Sequence, residues 1–364
     1  MFKKRGTLCA SVIVGAMALA ACGSSSSSSS PAGSSSNVAA ASTSGGSPGS
    51  TGASGQLIIY SNSGQQFMQP VLNAFEKAYP QVHLSYSDVE DPVSFARYRA
   101  EYAQGARTAD VIIASSPSLW VQNKDVALNW TPVDASAYPS WRTQFPGVFV
   151  LSPDPTVSIY SKVKLPARLV ADTYLQLEAN VKQNPALFDH KLVTYTANNF
   201  FGYSAFWGYV QKYGWSVLNT LGPQSTAAPD GVALGQAIAT GAANYGYFES
   251  GLIRGALTPV QQKLIGWLYM RDFTPLVSRG IAVTKATANP AAAKAFVNWL
   301  YSQPGQQALC GAGFTAYRTG VNCPFSLSAV ERAVGASHVF LVPYNATIAQ
   351  ERTAFVRHWQ QLYH

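Results

Sequence analysis

Apolar positions along this chain follow two alternating rhythms. Leu57-Ile58-Ile59-Tyr60 is a short buried-strand run, closed by the turn formers Ser61-Asn62-Ser63-Gly64. Phe67, Val71 and Phe75 then recur every fourth position, with Met68 and Leu72 beside them, which predicts a helix ended by Pro80. Val82 to Tyr86 alternates like a second strand, and Pro92 to Gly105 reads as a helix. Asp110 to Ala114 is a third strand, broken at Ser115-Ser116-Pro117-Ser118. Further on, Thr156 to Lys162 reads as a β segment and Pro166 introduces a helical stretch. A second set begins at Leu192-Val193-Thr194-Tyr195, followed by the turn Thr196 to Asn199 and a helix from Phe201 to Tyr213. Asn244 to Phe248 and Leu276 to Thr284 read as strands. Asn289-Pro290 starts a helix burying Phe296, Val297 and Leu300, with proline at its first position. A last helix from Thr347 carries Ile348, Phe355, Val356, Trp359 and Tyr363 on one face.

Strands alternating with helices predict an α/β chain with parallel sheets. In such sheets ligands bind beyond the carboxyl ends of the strands. That rule brings Ser61–Gly64 and Ser115–Ser118 to one mouth, and Thr196–Asn199 and Asn244–Phe248 to another.

Lys3, Lys4 and Arg5, followed by an apolar run of about fourteen residues from Leu8 to Ala21, describe an export signal. The run is shorter than the roughly 20 residues a membrane-spanning helix needs. Leu19-Ala20-Ala21-Cys22 resembles the lipobox of bacterial lipoproteins. That resemblance implies loss of residues 1–21 and acylation of Cys22, with the protein exported and anchored to the outer face of the cytoplasmic membrane. Residues 22–55 are then a lipidated cysteine and a Ser/Gly/Ala tether, which as a flexible coil would span roughly 30 Å.

The remaining 56–364 is long enough for two ordinary lobes. Without Lys3, Lys4 and Arg5 the 25 basic residues become 22, against 17 acidic ones. These charges are scattered, and no basic cluster marks a nucleic-acid face. Cys310 and Cys323, the two cysteines left once Cys9 and Cys22 are set aside, are most simply a disulfide in an exported chain. Enzyme signatures fail. Ser161 to Lys164 spells S-x-x-K, but Leu165-Pro166 follows where the motif needs a helix. Gly202 to Phe206 misses the last glycine of G-x-S-x-G, and the five histidines have no zinc spacing. No catalytic residue, metal or cofactor is expected.

The order of elements resembles extracellular solute-binding proteins of ABC importers. Leu57–Ser61 with the helix holding Ala74-Phe75-Glu76-Lys77, then Thr108–Ile112, then Leu276–Val283, and above all Ala288–Leu300 with Gly305-Gln306-Gln307 carry the likeness. It implies an α/β, two-lobed type 2 periplasmic-binding fold with two β crossover segments at the hinge. Lobe one would be 56–157 plus 282–364, and lobe two 158–281. It also implies a monomer that clamps a small solute between its lobes and hands it to a membrane permease.

The candidate ligand-binding residues are Ser61, Asn62, Ser63, Gly64, Ser115, Ser116, Asn198, Asn199, Tyr245 and Tyr247. Hydroxyls, amides and helix N-termini at these mouths suit an oxyanion, such as a phosphonate or phosphate ester. The ferric-ion branch of the family is the alternative, because Tyr245 and Tyr247 lie two apart on a strand and share a face. Against it, Ser61–Gln66 offers neither histidine nor carboxylate. A cationic solute would need carboxylates, and these stretches hold none, Glu249 lying just outside. Arg279 or Lys285 could add a positive charge for an oxyanion, a solvated hinge role being the commoner one for either. A scaffold lipoprotein without a small ligand is the remaining class.

Overall fold

The computed structural model describes residues 52–363. The signal, Cys22 and most of the tether lie outside them. Among the described residues no helix is long and apolar enough to cross a membrane.

The first half folds as β1 (Gly55–Ser61), α1 (Gln65–Ala78), β2 (Val82–Asp88), α2 (Asp91–Ala103), β3 (Val111–Ala114) and α3 (Pro117–Asn123). β1 pairs in parallel with both β2 and β3. α1 turns Met68, Val71, Leu72 and Phe75 into the core, the spacing of one helical stripe. Leu57 and Ile59 enter the same cluster on one face of β1, while Tyr60 and Ile112 bury against Phe95 and Trp120 on the other. After the short β4 (Thr143–Phe145) comes β5 (Val148–Ser161), an almost wholly buried strand of 14 residues. The sequence reading finds only its second half. Pro153 and Pro155 interrupt the first half, and proline argues against a central strand.

The second half adds α4 (Tyr174–Gln183), α5 (Pro185–Phe188), β6 (Leu192–Tyr195), α6 (Phe200–Tyr213), α7 (Ser216–Leu221) and β7 (Ser225–Ala228). It continues with α8 (Gly231–Ala239), β8 (Tyr245–Ser250), α9 (Ile253–Ala256), α10 (Pro259–Leu264) and β9 (Ile265–Leu268). β6 is parallel to β7 and β8. β10 (Thr274–Val283) returns to the first lobe, where it runs antiparallel to β3, and α11 (Pro290–Tyr301) and α12 (Gln303–Gly311) repack against α1. Then follow α13 (Leu327–Val334), β11 (Val339–Leu341) and α14 (Ala346–Leu362).

The sheet path is β2-β1-β3-β10-β5-β8-β6-β7. Parallel pairing holds within each half, and antiparallel β5 and β10 join the halves, with Leu276 opposite Pro155 and Val277 opposite Asp154. The alternation of strands and helices implies parallel pairing, and the resemblance implies two crossover segments at the hinge. The crossovers run the other way because each carries the chain between lobes in opposite senses.

α14 departs from the expected lobe boundaries. Ile348, Phe355, Trp359 and Tyr363 enter the core of residues 157–277, against Phe206 and Tyr203, although 282–364 is expected in lobe one. The apolar face read along that helix is real. Its partners are α6, through Tyr203 and Phe206, and α3 of the first lobe, which a linear reading cannot identify. Cys310 and Cys323 are joined by a disulfide.

Candidate functional site

Seven chain segments end at one cavity of about 270 Å³. From lobe one come the turn after β1 (Asn62, Ser63, Gly64), Asp88 at the end of β2 with Glu90 beyond it, and Ser115 after β3. From lobe two come Tyr195 and Asn199 after β6, Asp230 and Gly231 after β7, and Glu249 and Ser250 at the end of β8. Arg279 arrives on the β10 crossover. These are carboxyl ends of parallel strands, where the exposed edge of a sheet leaves room between helix N-termini.

The lobe-one wall is a closed hydrogen-bond network. Arg279 donates from Nη1 to Asn62 Oδ1 at 3.1 Å and to Ser63 Oγ at 3.0 Å. Its Nε meets Asp154 Oδ2 on β5 at 3.2 Å, and both side chains are buried. Asn62 in turn donates to Ser115 Oγ at 2.6 Å, and Ser61 to Ser63 Oγ at 2.8 Å. A one-residue register shift between Arg279 and Gly280 opposite β5 turns the guanidinium toward the cleft, the usual effect of a bulge. Arg279 is therefore a buried, paired residue rather than a solvated one. Lys285 is exposed.

The helix N-termini that sequence reading offers to an oxyanion are occupied by the chain itself. Asp88 accepts from the amide of Gln65 at the start of α1 at 3.0 Å. Asp230 caps α8 through the amide of Ala233 at 2.8 Å, and Asn199 caps α6 through Phe201 at 2.8 Å. Beside α3, Ser116 donates to the buried Asp91.

Acid groups face each other across the cleft, which corrects the expectation that its walls lack carboxylates. Asp88 and Glu90 belong to lobe one; Asp230 and Glu249 belong to lobe two. Burial raises the Glu90 carboxyl above its ordinary value, and Asp88 and the opposing Asp230 add to the shift. Glu249 is 1% exposed. Burial pushes its carboxyl up to about 8, with Asp230 contributing, while the Ser250 amide and Tyr195 act the other way. Its Oε1 accepts from the Ser250 amide at 2.7 Å, and its Oε2 has no partner within the chain. The preceding Phe248 has φ 56°, a conformation rare for a bulky residue, at a register shift between β8 and β5. This break in alternation keeps Tyr247 and Phe248 in the core and delivers Glu249 to the cavity.

Of the ten sequence-predicted ligand residues, Asn62, Ser63, Gly64, Ser115 and Asn199 line the cavity. Ser61 and Ser116 are buried just behind it. Asn198 turns to the last helix, its carbonyl accepting from Arg352 at 2.7 Å. Tyr245 and Tyr247 are a correction. Both are fully buried in lobe two, Tyr245 Oη donating to the Ala171 carbonyl at 2.7 Å and Tyr247 Oη to Tyr363 Oη at 3.0 Å. Burial raises both phenols above their ordinary range. They share a face as expected, but it is turned into the lobe-two core, Tyr245 toward Ala171 and Met270 and Tyr247 toward Phe206 and Tyr363. Among the described residues no group of three His, Cys, Asp or Glu side chains is placed to hold a metal ion. Asp88, Glu90, Asp230 and Glu249 escape sequence reading because each sits just past a predicted strand or inside a loop.

The cavity continues into an outer groove of about 470 Å³ that shares Phe67, Gly231, Val232, Ile253 and Ala256 with it. Behind α9, Arg254 reaches from lobe two to lobe one, its Nη2 donating to Thr315 Oγ1 at 3.2 Å and its guanidinium lying 4.7 Å from the Phe325 ring centroid.

A family model described as bacterial extracellular solute-binding protein matches residues 60–307. No curated protein matches the chain in sequence. Among solved structures, the substrate-binding protein of an ABC transporter from Agrobacterium tumefaciens is similar at TM-score 0.76 and 20% identity, over 84% of this chain and 95% of that one. Iron-bound HitA from Pseudomonas aeruginosa is similar at TM-score 0.66 and 15% identity, over 84% and 99%. AfuA from Actinobacillus pleuropneumoniae, solved with fructose-6-phosphate, is similar at TM-score 0.66 and 15% identity, over 84% and 98%. These likenesses carry the two-lobed periplasmic-binding fold.

Proposed function

The chain belongs to the bacterial extracellular solute-binding proteins, and from that premise we propose that it is the capture component of an ABC importer for a small organic cation. The solute is held in the cavity between the lobes and passed to a membrane permease, with Cys22 as the lipid anchor that keeps capture near delivery. One observation carries the choice of cation. Asp88 and Glu90 on one lobe oppose Asp230 and Glu249 on the other, and the single arginine among them is already paired with Asp154. Acids crowded across a cleft repel when ionised or, like Glu249, hold on to a proton, and a cation between them relieves either cost. The ligand then binds the closed form better than the open one, which is the differential affinity that a population shift requires.

An oxyanion-bearing solute is the second reading, supported by Arg279 and the serine turns at the inner wall. The N-terminal amides of α1, α6 and α8 already donate to side-chain oxygens of the protein, which weakens it. The ferric alternative gets no support from Tyr245 and Tyr247, whose hydroxyls are engaged inside lobe two. A thermal-shift panel on the full chain, covering amines, quaternary ammonium ions, phosphonates, phosphate esters, ferric citrate and sugars, tests the reading. Binding at 100-fold excess over Kd stabilises by about 2.7 kcal/mol. Stabilisation by cations supports it; stabilisation by anions alone overturns it, and none at all favours a scaffold role.

A further inference from the structure

Resting on the cationic reading above, the geometry points to a primary or secondary alkylammonium as the solute, donating N–H to Glu249 Oε2 and laying its hydrocarbon chain in the outer groove. Two independent features carry this. Glu249 lines the cavity yet is nine-tenths or more buried, and its Oε1 is taken by the Ser250 amide at 2.7 Å while Oε2 has no partner within the chain. Its carboxyl, raised to about 8 by burial, keeps its own proton when the site is empty, so a ligand that replaces that proton must supply both positive charge and a hydrogen. A quaternary ammonium has no hydrogen to give.

The second feature is the groove that opens from the cavity over Val232 and Ile253. Its wall includes Phe67, Pro70, Leu257 and Ile265, and its polar side chains are the neutral Gln66, Gln236 and Gln261. No charged residue lines it. A second ammonium at the far end of a chain would enter this groove without a counter-ion, whereas methylenes would leave water for an apolar wall. Gly231 keeps the path open, since a Cβ there would lie 2.5 Å from Glu249 Oε1.

Isothermal titration of the full chain with n-alkylamines from butyl to octyl, their trimethylammonium counterparts and matching α,ω-diamines tests this. Affinity for the amines should rise, by up to about fourfold per added methylene. The trimethylammonium and diamine series should bind roughly tenfold or more weakly, and Glu249→Gln should lose the amines by a similar factor. Because Gln is neutral and nearly isosteric, that variant should melt no lower than the parent, so its loss of binding reads on contact. Equal binding of quaternary and primary series, or of amines and diamines, would overturn this inference and leave the cationic reading standing. Binding of phosphonates with no amine binding would overturn both.

Discussion

Arg279 and Asp154, one from each crossover strand, form a buried ion pair with Nε and Oδ2 3.2 Å apart at the junction of the lobes. The same guanidinium holds Asn62 and Ser63, so the pair links hinge to cavity wall. Arg279→Met leaves Asp154 buried without a counter-charge, and should cost about 3–5 kcal/mol in urea unfolding. Adding Asp154→Leu should recover much of that loss, and a double-mutant cycle would measure the coupling.

Stability of the ligand-free protein should fall as pH rises from acid toward weak alkali. Glu249 and Asp91 are raised by burial to about 8 and about 7, from ordinary values of 4.5 and 3.8. Between those limits the folded state holds more protons than the unfolded one, so unfolding becomes easier with rising pH. The contribution is complete below the unfolded values and lost as pH passes the folded ones. Glu249 faces Asp230 and Tyr195, and Asp91 faces Ser116, Arg279 and Glu90. Melting curves from about pH 4 to about pH 9 should show the decline, and Glu249→Gln should remove its upper part.

Gly231→Ala separates site from scaffold. The new methyl meets the Glu249 carboxyl at 2.5 Å and the Tyr195 hydroxyl at 2.7 Å, both ends of side chains rather than backbone. Ligand affinity should fall roughly tenfold while stability changes by about 1–3 kcal/mol or less. Titration and thermal melts on the same preparation would check it.

Tyr245→Phe and Tyr247→Phe should each cost about 1 kcal/mol of stability through a lost internal hydrogen bond. Neither should alter ligand affinity, because both hydroxyls are spent within lobe two. A change in affinity with stability intact would return these residues to the cleft.

Opening the Cys310–Cys323 link by double serine substitution should destabilise by about 3 kcal/mol, the loop-entropy value for 13 residues. The loop it closes carries Thr315, which receives Arg254 from the other lobe. Reduced protein should therefore show faster hydrogen exchange in α9 as well as in the loop.

The elements were legible where periodicity is local. Leu57–Tyr60, the Phe67/Val71/Phe75 stripe and the apolar face of the last helix all report their own burial. What could not be read is what depends on distant partners or on rare backbone geometry. Nothing in the sequence around Phe248 announces a positive φ, yet that residue decides that Glu249 faces solute and Tyr247 faces core. Ser61–Gly64 and Ser115 were found because turn chemistry at strand ends is general. Asp88 and Asp230 look like ordinary loop acids until the fold sets them opposite each other. Arg279 reads as a solvated charge because Asp154, its partner, lies 125 positions away.

β11 adds one more strand to the junction. Leu341 pairs with Leu276, which on its other side pairs with Pro155, so three chain passages run edge to edge where the lobes meet. Three laced ribbons flex like a plate: they bend about the line across them and resist being wrung. The lobes of this molecule are therefore set to part along a single arc and not to twist against each other.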